Sequence, residues 1–304
     1  MKILVTGGAG FIGSNIVDAY IEAGHEVAIL DNLITGKKEN LNPKAKFYQI
    51  DIRDKKVADI LMEFKPEIIN HLAAQIDVRK SVADPTFTEE VNVLGAINLL
   101  DAAVAAKVKK IVFSSTGGAL YGEIPEKDGA DEEHKLEPIS PYAITKKATE
   151  MYLYFYHVTY GIKFTVLRYG NVYGPRQDPL GEAGVIAIFI GKLANGKNPT
   201  IFGDGKQLRD YVYVKDVCRA NLTALTKGDN GTYNVGTGIG TSVNVLFDHL
   251  KSIMKFKGSV VYAPPRAGEL FRSVLNAKKI EKELGWKPTV DMAKGLELTV
   301  KATT

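Results

Sequence analysis

The chain has 304 residues, 45% of them hydrophobic and 24% charged, which excludes a disordered or collagen-like polypeptide and leaves room for about two domains. Lys and Arg number 39 against 35 Asp and Glu, and the resulting net charge of +4 gives no electrostatic case for nucleic acid or an anionic membrane as partner. Cys218 is the only cysteine and the five histidines are scattered, which argues against a disulfide framework and against a metal centre. The longest apolar stretch of note, VIAIFI from Val185, falls well short of the ~20 residues a membrane helix needs. The chain opens directly on MKILVTGG, without the segments of a signal peptide, so the expectation is a soluble cytoplasmic protein.

Along the chain, Lys2 to Thr6 reads as a buried strand, Phe11 to Ala23 as a helix and His25 to Asp31 as a second strand. Phe47 to Ile50 and Glu67 to Leu72 are further strands around the helical stretch Lys55 to Phe64. Glu89 to Ala106 reads as one long amphipathic helix, Lys110 to Ser115 as a strand, Pro141 to about Tyr160 as a helix, and Lys163 to Arg168 as a strand. Nearly all-apolar strands alternating with helices predict an α/β fold, a Rossmann-type doubly wound parallel sheet covered on both faces. After Tyr169 the texture changes to shorter elements between Gly- and Pro-rich loops such as GPRQDPLGEAG, NGKNPTIFGDG and GDNGTYNVGTGIGT. Residues 1–168 are therefore expected to form a dinucleotide-binding domain and 169–304 a smaller C-terminal substrate-binding lobe, from which later strands could return to the first sheet.

Within VTGGAGFIGS, Gly8, Gly10 and Gly13 have the G-x-G-x-x-G spacing. A strand precedes them, a helix follows, and Asp31 ends the next strand 18 residues after Gly13, which is the context a dinucleotide fingerprint requires. Glycine lets the backbone approach a pyrophosphate, whose charge is met by amides at the helix N-terminus. Asp31 can accept from both hydroxyls of an adenosine ribose and would repel a 2′-phosphate, which favours NAD over NADP.

Tyr142 and Lys146, in SPYAITKKATE, lie four residues apart and share a helix face. A phenol of pKa near 10 becomes a base at neutral pH only if its phenolate is stabilised by ~4 kcal/mol. A nearby ammonium and a cationic nicotinamide ring supply such stabilisation. The strand end at Ser115 and Thr116, 26 residues before Tyr142, adds hydroxyl groups to that constellation.

With these motifs in hand, the chain resembles the extended short-chain dehydrogenase/reductases, and within them most closely the UDP-glucose (UDP-galactose) 4-epimerases. TGGAGFIGS, DNLITGKKENL, DIRD, HLAAQIDVRKSVADP, SSTGGALYGE, SPYAITKKATE, LRYGNVYGPRQDP, IFGDGKQLRDYVYVKDV, YNVGTG and LGWKP occur in the family's order over the whole length. The resemblance implies that Gly7, Gly10, Phe11, Ile12 and Gly13 wrap the NAD pyrophosphate, and that Asp31, Asn32 and Gly36 hold the adenosine ribose and its phosphate side. It implies that Asp51 and Ile52 flank adenine and that Leu72, Ala73, Ala74 and Gln75 pass the nicotinamide end, where Lys146 also binds the ribose. Tyr169 and Asn171 would face cofactor and sugar nucleotide, and Arg209, Arg266 and Glu269 would bind the phosphates and uridine ribose. The position that Ser273 occupies would decide whether an N-acetyl group fits at C2, and a serine there implies that both plain and N-acetylated UDP-hexoses are accepted. A homodimer through a four-helix seam, built from the Glu89 and Pro141 helices, is implied as well.

The implied reaction is NAD-dependent 4-epimerisation through a transient 4-keto sugar, without a metal. Tyr142 takes the proton of the 4-hydroxyl and Thr116 helps to relay it. One departure stands out: the family's hydroxyl residue four positions before the Tyr of its V-Y-G strand end is replaced here by Gly117, which makes Thr116 the nearest hydroxyl and Ser115 the reserve. The rivals are a nucleotide-sugar 4,6-dehydratase, whose Asp-Glu pair is replaced by Gly117 and Gly118, a UDP-glucuronate decarboxylase, and a non-catalytic NAD-binding sensor.

Overall fold

The computed structural model describes residues 1–179, 184–266 and 268–303; Leu180–Ala183 of the GPRQDPLGEAG loop, Ala267 of PPRAGEL and Thr304 lie outside the described residues. The strands are β1 (Lys2–Thr6), β2 (Glu26–Asp31), β3 (Lys46–Gln49), β4 (Ile68–His71), β5 (Lys110–Thr116), β6 (Lys163–Tyr169) and β7 (Asn171–Tyr173). They continue with β8 (Thr200–Phe202), β9 (Leu208–Tyr213), β10 (Gly231–Val235), β11 (Gly240–Ser242), β12 (Val261–Ala263) and β13 (Arg272–Ser273).

Seven strands form the main sheet in the order β10-β6-β5-β4-β1-β2-β3, with β1 parallel to both β2 and β4, β2 to β3, and β4 to β5. The order reverses at β1 and β4, the switch point outside which open α/β sheets bind ligands. β1 and β2 are almost wholly buried apolar runs, as strands covered on both faces must be. Leu4, Leu30, Ile69, Leu99, Ile111 and Phe113 form the centre of one core beside this sheet.

Most element ends fall within one or two residues of the periodicity reading, and the stretch from Glu89 to Ala106 departs from it most. The helical stretch near residue 89 begins earlier, at Pro85, because the Asp84 carboxylate accepts from Phe87 N and Pro85 occupies the first turn. It is also three pieces rather than one helix: Pro85–Glu89, a π-helical turn at Glu90–Leu94, and Gly95–Ala105. Within the widened turn, Asn92 is buried, and its side chain accepts from Gln75 N at 2.7 Å and donates to Gln75 O and Thr145 Oγ1. Gly95 follows where a Cβ would strike Ile52 Cδ1 at 2.7 Å. The Pro141–Tyr160 helix has the ends its sequence predicts: Ser140 Oγ accepts from Ala143 N, and Gly161 closes it at φ +75°.

The chain gathers into two compact units, Met1–Thr116 with Pro138–Arg168 and Cys218–Tyr233, and Gly117–Glu137 with Tyr169–Val217 and Asn234–Thr304. The first contains most of the main sheet, to whose edge β10 returns beside β6. In the second, β9 lies between β11 and β13 and also pairs with β7, while β8 and β12 form a small parallel pair. Buried Asp210 is the hub of this unit: its carboxylate accepts from Thr237 N and Oγ1, Gly238 N and Leu275 N.

Candidate active site

In the first unit the fingerprint turn connects β1 to the Phe11–Glu22 helix. Gly7 has φ +71°, and a Cβ there would sit 2.8 Å from Ala73 N, so the turn packs backbone to backbone against the segment after β4. A Cβ on Gly13 would overlap the Gly7 carbonyl, which makes that position a requirement of the turn itself. Gly10 is different: its Cβ would meet only Gly7 O, at 3.3 Å, and would otherwise fill open space over the helix start. No side chain caps that helix and its first turn bears no acidic residue, so its amides suit an anion.

Asp31, at the end of β2, is buried; Oδ2 accepts from Ala9 N at 3.0 Å and Oδ1 from Leu33 N at 2.8 Å. It therefore ties the fingerprint to the loop that contains Asn32 and Gly36, and a Cβ on Gly36 would lie 2.7 Å from Asp31 Oδ1. Asn32 Nδ2 donates to Asp51 at 2.9 Å, and the Arg53 guanidinium beside Asp51 holds its carboxyl down at about 2. Ile52 is buried among core side chains, which leaves its backbone rather than its side chain for any ligand. Phe11, Ile12 and Leu72–Gln75 are half-buried around this turn. An open-sided Gly10, an uncapped helix start and a buried carboxylate at the β2 end are together a fit for a dinucleotide.

The candidate reacting groups belong to the same unit. Tyr142 is half-buried on the first turn of its helix, and Lys146 Nζ lies 5.9 Å from the Tyr142 ring centre and 4.8 Å from that of Phe113. Nζ donates to Ser114 O at 2.8 Å, and burial lowers the ammonium to about 8, against the opposing charge of Glu150. His71 is buried beside it: burial first, then the Lys146 charge, pushes the imidazole down to about 3, so it is neutral. Thr6 Oγ1 accepts from Leu72 N and Ala73 N, leaving its proton for His71 Nδ1 at 2.8 Å. Among the two hydroxyls at the β5 end, Ser115 Oγ donates to Glu150 at 2.7 Å, whereas Thr116 is half-buried and no hydrogen bond engages its hydroxyl among the described residues.

The second unit contains the remaining candidates. Arg209, on β9, approaches Glu269 at 3.7 Å and pairs in register with Ser273 of β13. Ser273 is buried and donates to Gly118 O at 3.3 Å; Gly118 in turn lies where a Cβ would be 3.5 Å from Asn171 Oδ1. The Arg266 guanidinium stacks 3.9 Å over the Phe202 ring. Phe202, Gln207, Tyr262, Arg266 and Glu269 line a cavity of about 750 Å³ whose cation, carboxylate and aromatic faces suit a nucleotide. Tyr169 is buried at the end of β6.

Three supporting residues escaped the motif reading. Glu150 falls one helical turn past Lys146, a spacing that marks a shared face, and its buried carboxylate engages Ser115 and Arg168. Glu123, of SSTGGALYGE, accepts Phe271 N and Arg272 N at 2.7 Å each, gripping the segment that follows Arg266 and Glu269. Asn92 holds Gln75 from the π-helical turn, for which the sequence has no local signal.

Residues 3–236 match the family described as the NAD dependent epimerase/dehydratase family. A putative UDP-glucose 4-epimerase of Methanocaldococcus jannaschii is 52% identical over 299 residues, 98% of this chain and 97% of that protein. The crystal structure of a Thermotoga maritima UDP-glucose 4-epimerase with UDP-glucose is similar at a TM-score of 0.98 and 51% identity, covering 100% of this chain and 98% of that one. The Thermus thermophilus UDP-glucose 4-epimerase in complex with NAD is similar at 0.95 and 48%, covering 99% and 98%. Matched over most of its length and more than half identical to a relative it covers almost completely, the chain belongs to the NAD dependent epimerase/dehydratase family.

Proposed function

We propose that the protein is a UDP-glucose 4-epimerase, an isomerase that interconverts UDP-glucose and UDP-galactose with NAD as its resident redox cofactor. The observation that carries this reading is the Tyr142–Lys146 pair, with the buried ammonium 5.9 Å from the phenol ring, in a chain 51% identical to a 4-epimerase solved with UDP-glucose. Bound NAD supplies a hydride acceptor and then a hydride donor at the sugar's C4, with a 4-keto sugar in between. Gly7, Gly10 and Gly13 hold its pyrophosphate side and Asp31 its adenosine ribose.

Tyr142 takes the proton of the 4-hydroxyl and later returns one to the same oxygen. Lys146 favours the phenolate by its charge, and Thr116 hydrogen-bonds the reacting oxygen. Arg209, Arg266 and Asn171 hold the diphosphate and Glu269 the uridine ribose, so the sugar stays tethered while its face exchanges. Dehydration would require an added acid/base pair after Thr116, where Gly117 and Gly118 bring none. Ser273 adds little bulk beside Arg209, which favours acceptance of N-acetylated UDP-hexoses; no turnover of UDP-N-acetylglucosamine by enzyme active on UDP-glucose overturns that part.

We also propose a homodimer. Ile144, Met151, Phe155 and Val158 form an exposed apolar stripe along the Pro141–Tyr160 helix, and Leu94 is exposed on the neighbouring π-helical turn. No helix among the described residues is long and apolar enough to cross a membrane, and we propose a cytoplasmic enzyme.

The test is NMR of purified protein with UDP-galactose and no added NAD, following the anomeric and H4 signals. Conversion to UDP-glucose is expected. Inactivity on UDP-galactose with and without NAD, together with consumption of UDP-glucuronate or release of a 4-keto-6-deoxy sugar, overturns the assignment in favour of a sister reaction.

A further inference from the structure

We propose that Glu150 is a positioning residue for this reaction, holding the end of β5 against the Tyr142 helix so that Thr116 meets the reacting oxygen. The inference rests on the roles given above to Tyr142, Lys146 and Thr116. Two consecutive residues of β5 are tied to two consecutive turns of the helix: Ser114 O accepts from Lys146 Nζ at 2.8 Å, and Ser115 Oγ donates to Glu150 Oε1 at 2.7 Å. Two ties one turn apart prevent the strand end from sliding along the helix and from rotating about a single bond. Thr116 is the next residue, so its place relative to Tyr142 follows from them.

A carboxylate is needed for this task. Arg168, next to Tyr169 at the end of β6, donates Nε to Oε1 at 3.0 Å and Nη2 to Oε2 at 2.7 Å, so Glu150 joins β5, β6 and the helix at one point. Both side chains are only 5% exposed. A buried ion pair contributes little to stability compared with well-packed apolar residues, so packing alone does not account for it. Glu150 faces Arg168 from β6 and Lys147 from its own helix, at 3.6 Å. Lys146 faces His71 from β4, and Tyr142 and Glu150 from its own helix. Glu150 is thus the one charge among these that keeps the buried ammonium protonated, opposing its burial.

The experiment compares Glu150→Gln, Ser115→Ala, the double variant and Tyr142→Phe with wild-type holoenzyme, measuring kcat and KM for UDP-galactose from pH 6 to 10 alongside retained NAD and melting temperature. Misplacement of a reacting group by an ångström or less predicts that Glu150→Gln lowers kcat roughly ten- to a hundredfold, with KM within about twofold of wild type. Its alkaline limb moves to lower pH, because the ammonium loses the carboxylate charge that opposes its burial. Ser115→Ala shares the loss in kcat without that movement, and the double variant is no worse than Glu150→Gln. Wild-type kcat with an unmoved limb in Glu150→Gln overturns the proposal, as does a double variant whose losses multiply. If Glu150→Gln does not fold, Ser115→Ala decides alone, since it leaves the Glu150–Arg168 pair intact, and wild-type kcat there is fatal. Active wild type with inactive Tyr142→Phe and an unaffected Glu150→Gln removes only the role of Glu150. Wild type inactive on UDP-galactose removes the underlying reading and this one with it.

Discussion

A Cβ placed on Gly117 would lie 2.6 Å from Leu275 Cδ1 and 2.7 Å from Cδ2, and Leu275 is fully buried against Tyr121, Ile124 and Ala130. A side chain at position 117 therefore fits only if Leu275 shifts, which supports the proposal that Thr116 supplies the hydroxyl. Thr116→Ala is expected to lower kcat on UDP-galactose by roughly a hundredfold or more, and Thr116→Ser to retain most of it. Gly117→Ser in the Thr116→Ala background restores nothing and costs about 1–3 kcal/mol of stability through overpacking. Rescue of activity by that serine, read in the same NMR assay with a urea melt alongside, would show the Leu275 side to be yielding.

Neutral His71 makes stability depend on pH. Its folded-state value of about 3 lies below the ordinary 6.5, so between these limits the unfolded chain binds the extra proton. The contribution is fully present above pH 6.5 and is lost as the pH falls toward 3, by at most about 1.4 kcal/mol per pH unit. His71→Asn keeps an acceptor for the Thr6 hydroxyl and is expected to flatten this acid arm while lowering stability at pH 7.5. Urea unfolding between pH 7.5 and 4.5 measures both; an unchanged acid slope in the variant assigns the arm to other groups.

Glu123 grips the backbone of Phe271 and Arg272 from an exposed position. Arg272 reinforces the grip by donating to Glu126 O and Lys127 O. Glu123→Ala is expected to raise KM for UDP-galactose about tenfold, equivalent to ~1.4 kcal/mol, with kcat within about twofold and NAD retention unchanged. A loss confined to kcat would mean that the grip serves the reacting groups instead of Arg266 and Glu269.

The apolar stripe on the Pro141–Tyr160 helix is tested by Val158→Glu, at a residue 65% exposed in the single chain. An unpaired charge in a closed seam costs about 3–5 kcal/mol, so association is expected to weaken by a hundredfold or more. Sedimentation equilibrium over a range of concentrations reads this directly. A variant whose mass distribution matches wild type places any dimer contact elsewhere.

Much of this protein was legible before any coordinates because its signals are local. Strand β1, the glycine turn, the helix from Phe11 and Asp31 follow one another within 31 residues, and each is dictated by steric and hydrogen-bonding demands of near neighbours. The opening of the next helix at Pro141, its end near Tyr160, and the shared face of Tyr142 and Lys146 were legible in the same way. What could not be read were relationships across long separations. The widened turn at Asn92 is made by a partner 17 residues earlier and another 53 later. The membership of Gly117–Glu137 and Cys218–Tyr233 in one compact unit or the other is likewise a matter of packing. Sequence alone left two hydroxyls side by side at the end of β5; only the fold brings Glu150, 35 residues away, within 2.7 Å of Ser115, while no hydrogen bond among the described residues engages the Thr116 hydroxyl. Local backbone chemistry determined which elements form, and the burial of polar groups, each of which must find a partner wherever the chain can bring one, decided which of the two β5 hydroxyls is held by Glu150.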